Sequence, residues 1–328
     1  MIEQRESAAS ATTAEVVAEL GRRSSFVMVS HVRPDGDTLG AGLGLGIGLA
    51  RLGKRVHYFQ QDPVPRNLRF LPGAEQVSRA LPHDLPPDTL WVFGDMSDTA
   101  RAGEFLPPIA RENTLNIDHH LGNSRFGKWN YVIETECSTG TCVMRLLRAL
   151  NVPIDRDIAT CILTTIMTDT GGFMHSNTTP EVLILSSELM MAGADKERIT
   201  EEIFAHKRYA AVKLLGRALG EARLLRGGRY CWSFVDEAML RECEADGEDT
   251  EEIIGHLRSI EGVEAAALFK VVEGEIRVSL RSNGRINVQA AAARLGGGGH
   301  FRAAGLTYIG SLAEAARAVE HALVAEGL

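Results

Sequence analysis

Six side chains able to bind a divalent cation recur between residues 31 and 169: His31, Asp35, Asp37, Asp95, His119 and Asp169. The first three form His31-x-x-x-Asp35-x-Asp37, which projects an imidazole and two carboxylates from one short loop. Pro34 fixes the backbone there and Gly36 permits a sharp turn. Asp95 follows a glycine, Asp118-His119-His120 follows an apolar run, and Asp169 precedes Gly171-Gly172. Carboxylates and imidazoles without a thiolate favour Mn2+ or Mg2+ over structural zinc. A single Asp in a turn is usually a cap or an Asx-turn, and a single His after a strand is usually structural. Four such motifs, each at the end of an element, point instead to a metal site, because burying so many acids without cations is costly. Six candidate donors exceed what one partly hydrated cation needs, so two cations are expected. A pair ~3.5–4 Å apart can share a water, lower its pKa from about 15.7 towards ~7 and neutralise phosphoryl oxygens in an in-line displacement. Phosphoester hydrolysis is the reaction this favours.

The elements that must position these groups are readable from periodicity. Residues 14–23 read as a short amphipathic helix, and Phe26–Ser30 is a compact apolar run expected to be a buried strand. Residues 38–52 are small and apolar and read as a helix. Arg55–Phe59, Leu90–Phe93 and Thr114–Ile117 are further strands, and 139–150 and 155–168 are helical. This alternation predicts an α/β domain with a parallel sheet and helices on both faces. Ligands of such sheets bind beyond the carboxyl ends of the strands, where three of the four motifs fall. From 180 to 225 the chain is helix-prone. After the Arg226-Gly-Gly228 turn come a strand (229–236), an acidic helical stretch (237–259), strands at 265–272 and 275–281, a short helix at 286–295, a strand near 305–309 and a final helix at 311–326. The expected organisation is a catalytic domain over residues 1–190, a helical connector over 191–225 and a smaller α/β domain over 226–328.

Two glycine-rich segments imitate nucleotide-binding motifs. In Gly40–Gly48 the third glycine of G-x-G-x-x-G never falls in register, and Gly48–Lys54 carries Arg55 where a P-loop needs Ser or Thr. Close packing of a small-residue helix is the better reading.

The composition, 45% hydrophobic and 24% charged, is that of a globular protein with ample core. No stretch approaches the ~20 apolar residues of a membrane span. Met1 to Ser10 lacks the apolar run of a signal peptide. Five scattered cysteines without a CxxC pair suit a reduced, cytoplasmic protein. A net charge of −8 disfavours non-specific binding of long nucleic acid.

HVRPDGD, FGDMSD, IDHH and MTDTGGF resemble, in order, the four motifs of DHH-family phosphoesterases, named for the Asp118-His119-His120 triplet. RSNGRINVQAAAARLGGGGHFRAAG resembles the substrate-binding DHHA1 domain with its GGGGH signature. Length and layout look most like the nano-RNase members, which also hydrolyse 3′-phosphoadenosine 5′-phosphate. The resemblance implies that His31, Asp35 and Asp95 hold one metal and that Asp37, Asp95, His119 and Asp169 hold the other, with Asp95 bridging. It implies two divalent cations, Mn2+ first, with Mg2+ or Co2+ as alternatives. Asp118 would orient a neighbouring histidine, and His120 would contact the scissile phosphate and assist the leaving oxygen.

The C-terminal part adds Lys270, Arg277, Arg281, Arg285, Arg294 and Arg302 against Glu273 and Glu275, a local basic patch in an acidic chain. Gly296–Gly299 can converge backbone N–H groups on an anion. Arg281, Ser282, Gly298, Gly299 and His300 are the candidate substrate-binding residues, with Arg281 forking onto a phosphate and His300 donating or stacking. In isolation a Gly-rich turn with solvated arginines reads as well; beside a phosphoesterase core, a phosphate clamp is preferred. A clamp near the metals, in a cleft between two small domains, predicts short oligonucleotides or nucleotide phosphates as substrates and no long nucleic acid or membrane partner. A homodimer is left open. The alternatives are a linear or cyclic dinucleotide phosphodiesterase, a RecJ-like single-strand exonuclease, a pyrophosphatase and a catalytically silent nucleotide sensor.

Overall fold

The computed structural model describes residues 10–272 and 274–328, with the backbone alone of His300. Residues 1–9 and Glu273, on which the leader and basic-patch readings touched, lie outside the described residues. The chain divides into two compact units between His206 and Lys207.

The first unit runs α1 (Thr13–Arg22), β1 (Ser25–Val29), α2 (Gly36–Arg51), β2 (Arg55–Phe59), β3 (Val77–Ser78), β4 (Leu90–Gly94), β5 (Thr114–Asp118), β6 (Trp129–Val132), α3 (Thr139–Ala149), α4 (Arg156–Asp169), α5 (Pro180–Met191) and α6 (Lys196–Thr200). Its sheet is parallel throughout in the order β3-β2-β1-β4-β5-β6. β1 and β4 are buried along their whole length, the reason that FVMV and LWVF read as unbroken apolar runs. Phe26, Met28, Leu90 and Val92 pack with the helices. Val27, Val29, Trp91 and Phe93 pack on the other face against Phe126 and the connecting-chain residues Leu81, Leu85, Leu106 and Ile109. The expectation of helices on both faces is thereby refined: one face carries α-helices, the other irregular chain with short 3-10 turns. The short strands β3 and β6 escaped the sequence reading, because two and four residues give too little alternation.

α2 begins at Gly36, capped by Asp35, whose carboxylate accepts from the N–H groups of Asp37 and Thr38. Asp37 is therefore in the first helical turn, whereas the sequence had placed it in the loop. The glycines of α2 press on α4. A Cβ on Gly36 would lie 2.4 Å from Thr168 Cγ2, and one on Gly40 would lie 2.7 Å from the Cys161 carbonyl oxygen. Gly44 meets Ile162 and Cys161. The two helices thus pack antiparallel at close range, with the start of α2 against the end of α4.

The second unit contains α7 (Tyr209–Gly220), β7 (Arg223–Leu225), β8 (Tyr230–Val235), α8 (Glu237–Cys243), α9 (Ile253–Arg258), β9 (Ala265–Val272), β10 (Glu275–Ser282), α10 (Val288–Ala293), β11 (Gly298–His300), β12 (Ala303–Tyr308) and α11 (Leu312–Val324). Its sheet, β11-β12-β10-β9-β8-β7, is mixed, with only β8 and β9 parallel. Period-2 burial divides it: Tyr230, Trp232, Ala267 and Phe269 face α10 and α11, while Cys231, Val235, Ala266 and Leu268 face α7, α8 and α9. The segment 191–225, read as a connector, holds α6, a π-turn at Glu201–Ala205, the unit boundary, α7 and β7. The acidic stretch 237–259 is two helices, because Glu244 takes a left-handed conformation and ends α8. No described helix is long and apolar enough to cross a membrane. All five cysteines are buried and unbonded.

The α2–α4 contact makes a stability prediction. Gly40→Ala should destabilise the full chain by about 1–3 kcal/mol through overpacking. Gly42→Ala, whose Cβ meets nothing closer than Met28 Cβ at 3.8 Å, should be neutral or stabilising by up to about 1 kcal/mol. Urea unfolding midpoints measure both, and equal effects at the two positions would contradict the packing argument.

Candidate metal centre

His31 follows β1, and its backbone N–H donates to Thr38 Oγ1, which itself donates to the Gly94 carbonyl at the end of β4. One threonine in α2 so ties together the segments that carry His31 and Asp95. His31 Nδ1 lies 2.9 Å from the Val32 carbonyl. A carbonyl only accepts, so Nδ1 carries the ring proton. Nε2 is buried without a hydrogen-bond partner. It faces Asp95 Oδ2 at 3.2 Å and Asp35 Oδ2 at 3.7 Å.

His119 repeats the arrangement after β5. Its Nδ1 meets the Glu136 carbonyl at 3.2 Å, and its Nε2 is buried without a partner. That nitrogen faces Asp169 Oδ2 at 3.1 Å, Asp37 Oδ2 at 3.5 Å and Asp95 Oδ1 at 3.7 Å. In a neutral ring each Nε2 is a lone pair aimed at carboxylates. Only a proton or a cation between them makes that arrangement favourable, so the donor set fits divalent metal. Asp95 faces His31 with one oxygen and His119 and His120 with the other. It does so from a left-handed backbone (φ 61°), a strained conformation for a non-glycine residue.

Three groups bring one donor atom per residue within 4.8 Å of each other: His31, Asp35 and Asp95; Asp37, His119 and Asp169; and Asp95, His119 and His120. The structure thus gathers all six residues singled out from the sequence. Asp118 and His120 sit beside them. Asp118 Oδ1 accepts from His120 Nδ1 at 2.8 Å, and its Oδ2 accepts from Asn123. Burial opposes ionisation of Asp118, but these hydrogen bonds outweigh it and hold the carboxyl below its ordinary value. His120 is thereby oriented with Nε2 directed away from Asp118. His175, beside the Asp169 turn, is exposed and directs Nδ1 at the Asp169 carbonyl.

The sequence reading missed the residues that hold the acids. Asp37 accepts from the backbone N–H of Thr139 at 2.8 Å and of Gly140 at 3.1 Å, at the start of α3. Thr139 Oγ1 donates to Asp95 Oδ1 at 3.2 Å. Helix N-termini favour anions, and Ser138, an N-cap donor-acceptor pair with Thr141 N–H, was the available signal.

In the second unit the expected clamp looks different. Ser282 is fully buried, and its Oγ accepts from the N–H groups of Gly284 and Ile286, closing the turn after β10. Gly298 and Gly299 belong to edge strand β11 rather than an open nest. A Cβ on Gly299 would lie 2.5 Å from the Ala303 carbonyl, so close strand approach demands the glycine. The backbone of His300 pairs with Ala303; its side chain lies outside the described structure. Arg277, Arg285 and Arg294 pair with Glu275, Glu264 and Glu326, which thins the basic patch. Arg281 is half-buried, and burial and the nearby Arg258 charge both lower its pKa.

Residues 25–166 match the DHH family N-terminal domain, and residues 227–325 match the DHHA1 domain. A curated relative, the bifunctional oligoribonuclease and PAP phosphatase NrnA of Thermus thermophilus, is 37% identical over 284 residues, covering 86% of this chain and 84% of that protein. The chain belongs to the DHH family of phosphoesterases. The Bacillus subtilis protein of the same description is 24% identical over 294 residues, covering 89% of this chain and 91% of its own. A solved exopolyphosphatase-related protein from Bacteroides fragilis superposes on this DHH-family chain with a TM-score of 0.87 at 26% identity, covering 95% of each.

Without metal, protons neutralise the centre. Burial opposes charging of His31, but Asp35 and Asp95 outweigh it and raise the ring to about 9. His119 rises likewise to about 10, through Asp169, Asp37 and Asp95. Burial pushes Asp169 up to about 6, and burial with the Asp169 and Asp95 charges pushes Asp37 well up. Below these values a cation must displace protons. Mn2+ titration at pH 7 should therefore release on the order of two protons per chain. Apparent affinity should rise with pH through the range in which His31 and His119 deprotonate, near 9 and 10. Calorimetry in buffers of different ionisation enthalpy measures this, and a heat independent of buffer would contradict the arrangement.

Proposed function

We propose that the chain hydrolyses very short oligonucleotides to mononucleotides, with 3′-phosphoadenosine 5′-phosphate as a second substrate. The observation that carries this reading is the pair of buried, unpartnered imidazole nitrogens facing four carboxylates. Two relatives described as oligoribonucleases and PAP phosphatases support the substrate class. The net charge of −8 supports a size limit, dinucleotides to about tetranucleotides, because an acidic exterior repels a longer strand.

In this reading His31, Asp35 and Asp95 hold one cation, and Asp37, Asp95, His119 and Asp169 hold the other. Mn2+ is the first choice, with Mg2+ and Co2+ as alternatives. Such a cation pair supplies charge for the phosphoryl oxygens and acidifies a shared water. The chain's own residues do the rest. The α3 N-terminus holds the Asp37 carboxylate aimed into the centre through the N–H groups of Thr139 and Gly140. Asp118 holds the His120 ring by its Nδ1–H, and His120 donates from Nε2 to the phosphate or the leaving oxygen. Residues 226–328 bind substrate, with Arg281 and His300 engaging its phosphate or base and Gly298 and Gly299 admitting close approach. A cytoplasmic location fits such a task.

Asp95→Ala removes a donor shared by both groups and should lower hydrolysis at least about 100-fold. His300→Ala should chiefly raise KM, with kcat within a few-fold, if the contact is equal in ground and transition states. Steady-state kinetics on a dinucleotide with saturating Mn2+ separates them; equal loss of kcat in both variants contradicts this division. Product analysis on labelled RNAs of two, five and twenty nucleotides tests size. Efficient digestion of the longest would favour an exonuclease of the RecJ kind.

A further inference from the structure

We infer that Asn177 is a positioning residue that sets the spacing between Asp37 and Asp169 across the metal centre. The inference rests on the metal-holding role proposed above for those two acids.

Asp169 is the last residue of α4. Its carbonyl is among those left without an intrahelical donor at a helix end. Gly171 and Gly172 follow in left-handed conformations (φ 59° and 67°), and this reversal turns the chain back over the helix end. Asn177 then places its amide between two backbones. Nδ2 lies 3.2 Å from the Asp169 carbonyl and 3.2 Å from the Cys137 carbonyl. Two acceptors fix the orientation of the amide, nitrogen inward. Its Oδ1 is buried without a hydrogen-bond partner, a cost that makes Asn177 a poor choice for stability alone.

The two carbonyls belong to the two arms of the centre. Cys137 directly precedes Ser138, the N-cap of α3, and the next two residues, Thr139 and Gly140, hold the Asp37 carboxylate by their N–H groups. Thr139 also holds Asp95. Asp169 carries the carboxylate that faces His119. One side-chain amide therefore clips the cradle of Asp37 to the helix end that presents Asp169. The His175 ring reaches the Asp169 carbonyl but, among the described residues, no carbonyl of the α3 arm. Without the clip, α4's end and α3's start can drift apart, and the two carboxylates lose the common geometry a cation needs.

The test is Mn2+ titration calorimetry of the full chain, beside thermal unfolding with and without Mn2+. Asn177→Leu keeps the branched skeleton and removes the donor. Asn177→Gln keeps the donor one methylene out of place. Both should weaken apparent Mn2+ affinity about tenfold or more, Gln less than Leu. The metal-free melting temperature should stay near that of the unaltered chain while the Mn2+-induced gain shrinks. Should Asn177→Leu fail to fold, Asn177→Gln alone carries the comparison. Unaltered affinity in a folded variant overturns the inference. So does a lower metal-free melting temperature with an unchanged Mn2+-induced gain, which marks a merely structural residue. Asp37→Asn separates this from failure of the underlying reading. If that variant binds Mn2+ as the unaltered chain does, the metal centre itself is misassigned. If it loses binding while Asn177→Leu does not, only the role of Asn177 falls.

Discussion

Negative charge held at close quarters is the constraint that the first unit is built around. Asp35, Asp37, Asp95 and Asp169 converge on two imidazole nitrogens that have no hydrogen-bond partner. Such a cluster is unfavourable unless something positive enters it. The fold meets part of the cost with its own dipoles. The α3 N-terminus receives Asp37, the start of α2 receives Asp35, and Thr139 donates to Asp95. Protons on His31 and His119 meet another part in the absence of metal. Metal binding and proton release are consequently two sides of one equilibrium.

Bringing the four acids together is a packing problem as much as an electrostatic one. Asp37 begins α2 and Asp169 ends α4, so their approach depends on how near the helices lie. Gly36, Gly40 and Gly44 set that distance, since a methyl group at any of them would meet α4 at 3.0 Å or less. The same glycines that imitate a dinucleotide fingerprint serve as a contact surface. They also explain why the helix is weakly amphipathic: it is buried along most of its length.

The second unit follows a different logic. Gly297 and Gly299 of its glycine run are required by close approach to β12, and its arginines are largely engaged with acids on the same unit. Sequence reasoning counted these arginines as a basic patch because residue type alone does not show which cation already has a partner. Ser282 illustrates the point. A serine between an arginine and Asn283-Gly284 suits a ligand contact or a turn cap equally well, and burial decides for the cap.

The candidate donors of the metal centre were legible in the sequence because their motifs stand where apolar runs stop. Parallel strands buried on both faces announce themselves as unbroken hydrophobic segments, and their carboxyl ends share one edge. The family was legible for the same reason, through four motifs of fixed residue type. What surrounds those donors was not. Thr38, Asn123, Thr139 and Asn177 act through side-chain hydrogen bonds to residues or carbonyls up to dozens of positions away, and no periodicity encodes such a pairing. The start of α2, the short strands β3 and β6 and the irregular layer beneath the sheet were hidden too, because local propensity is weak in segments of a few residues. Residue type and element order thus determined which groups could do chemistry. The distance between α2 and α4, and the hydrogen bonds that aim each acid, exist only once the chain has packed.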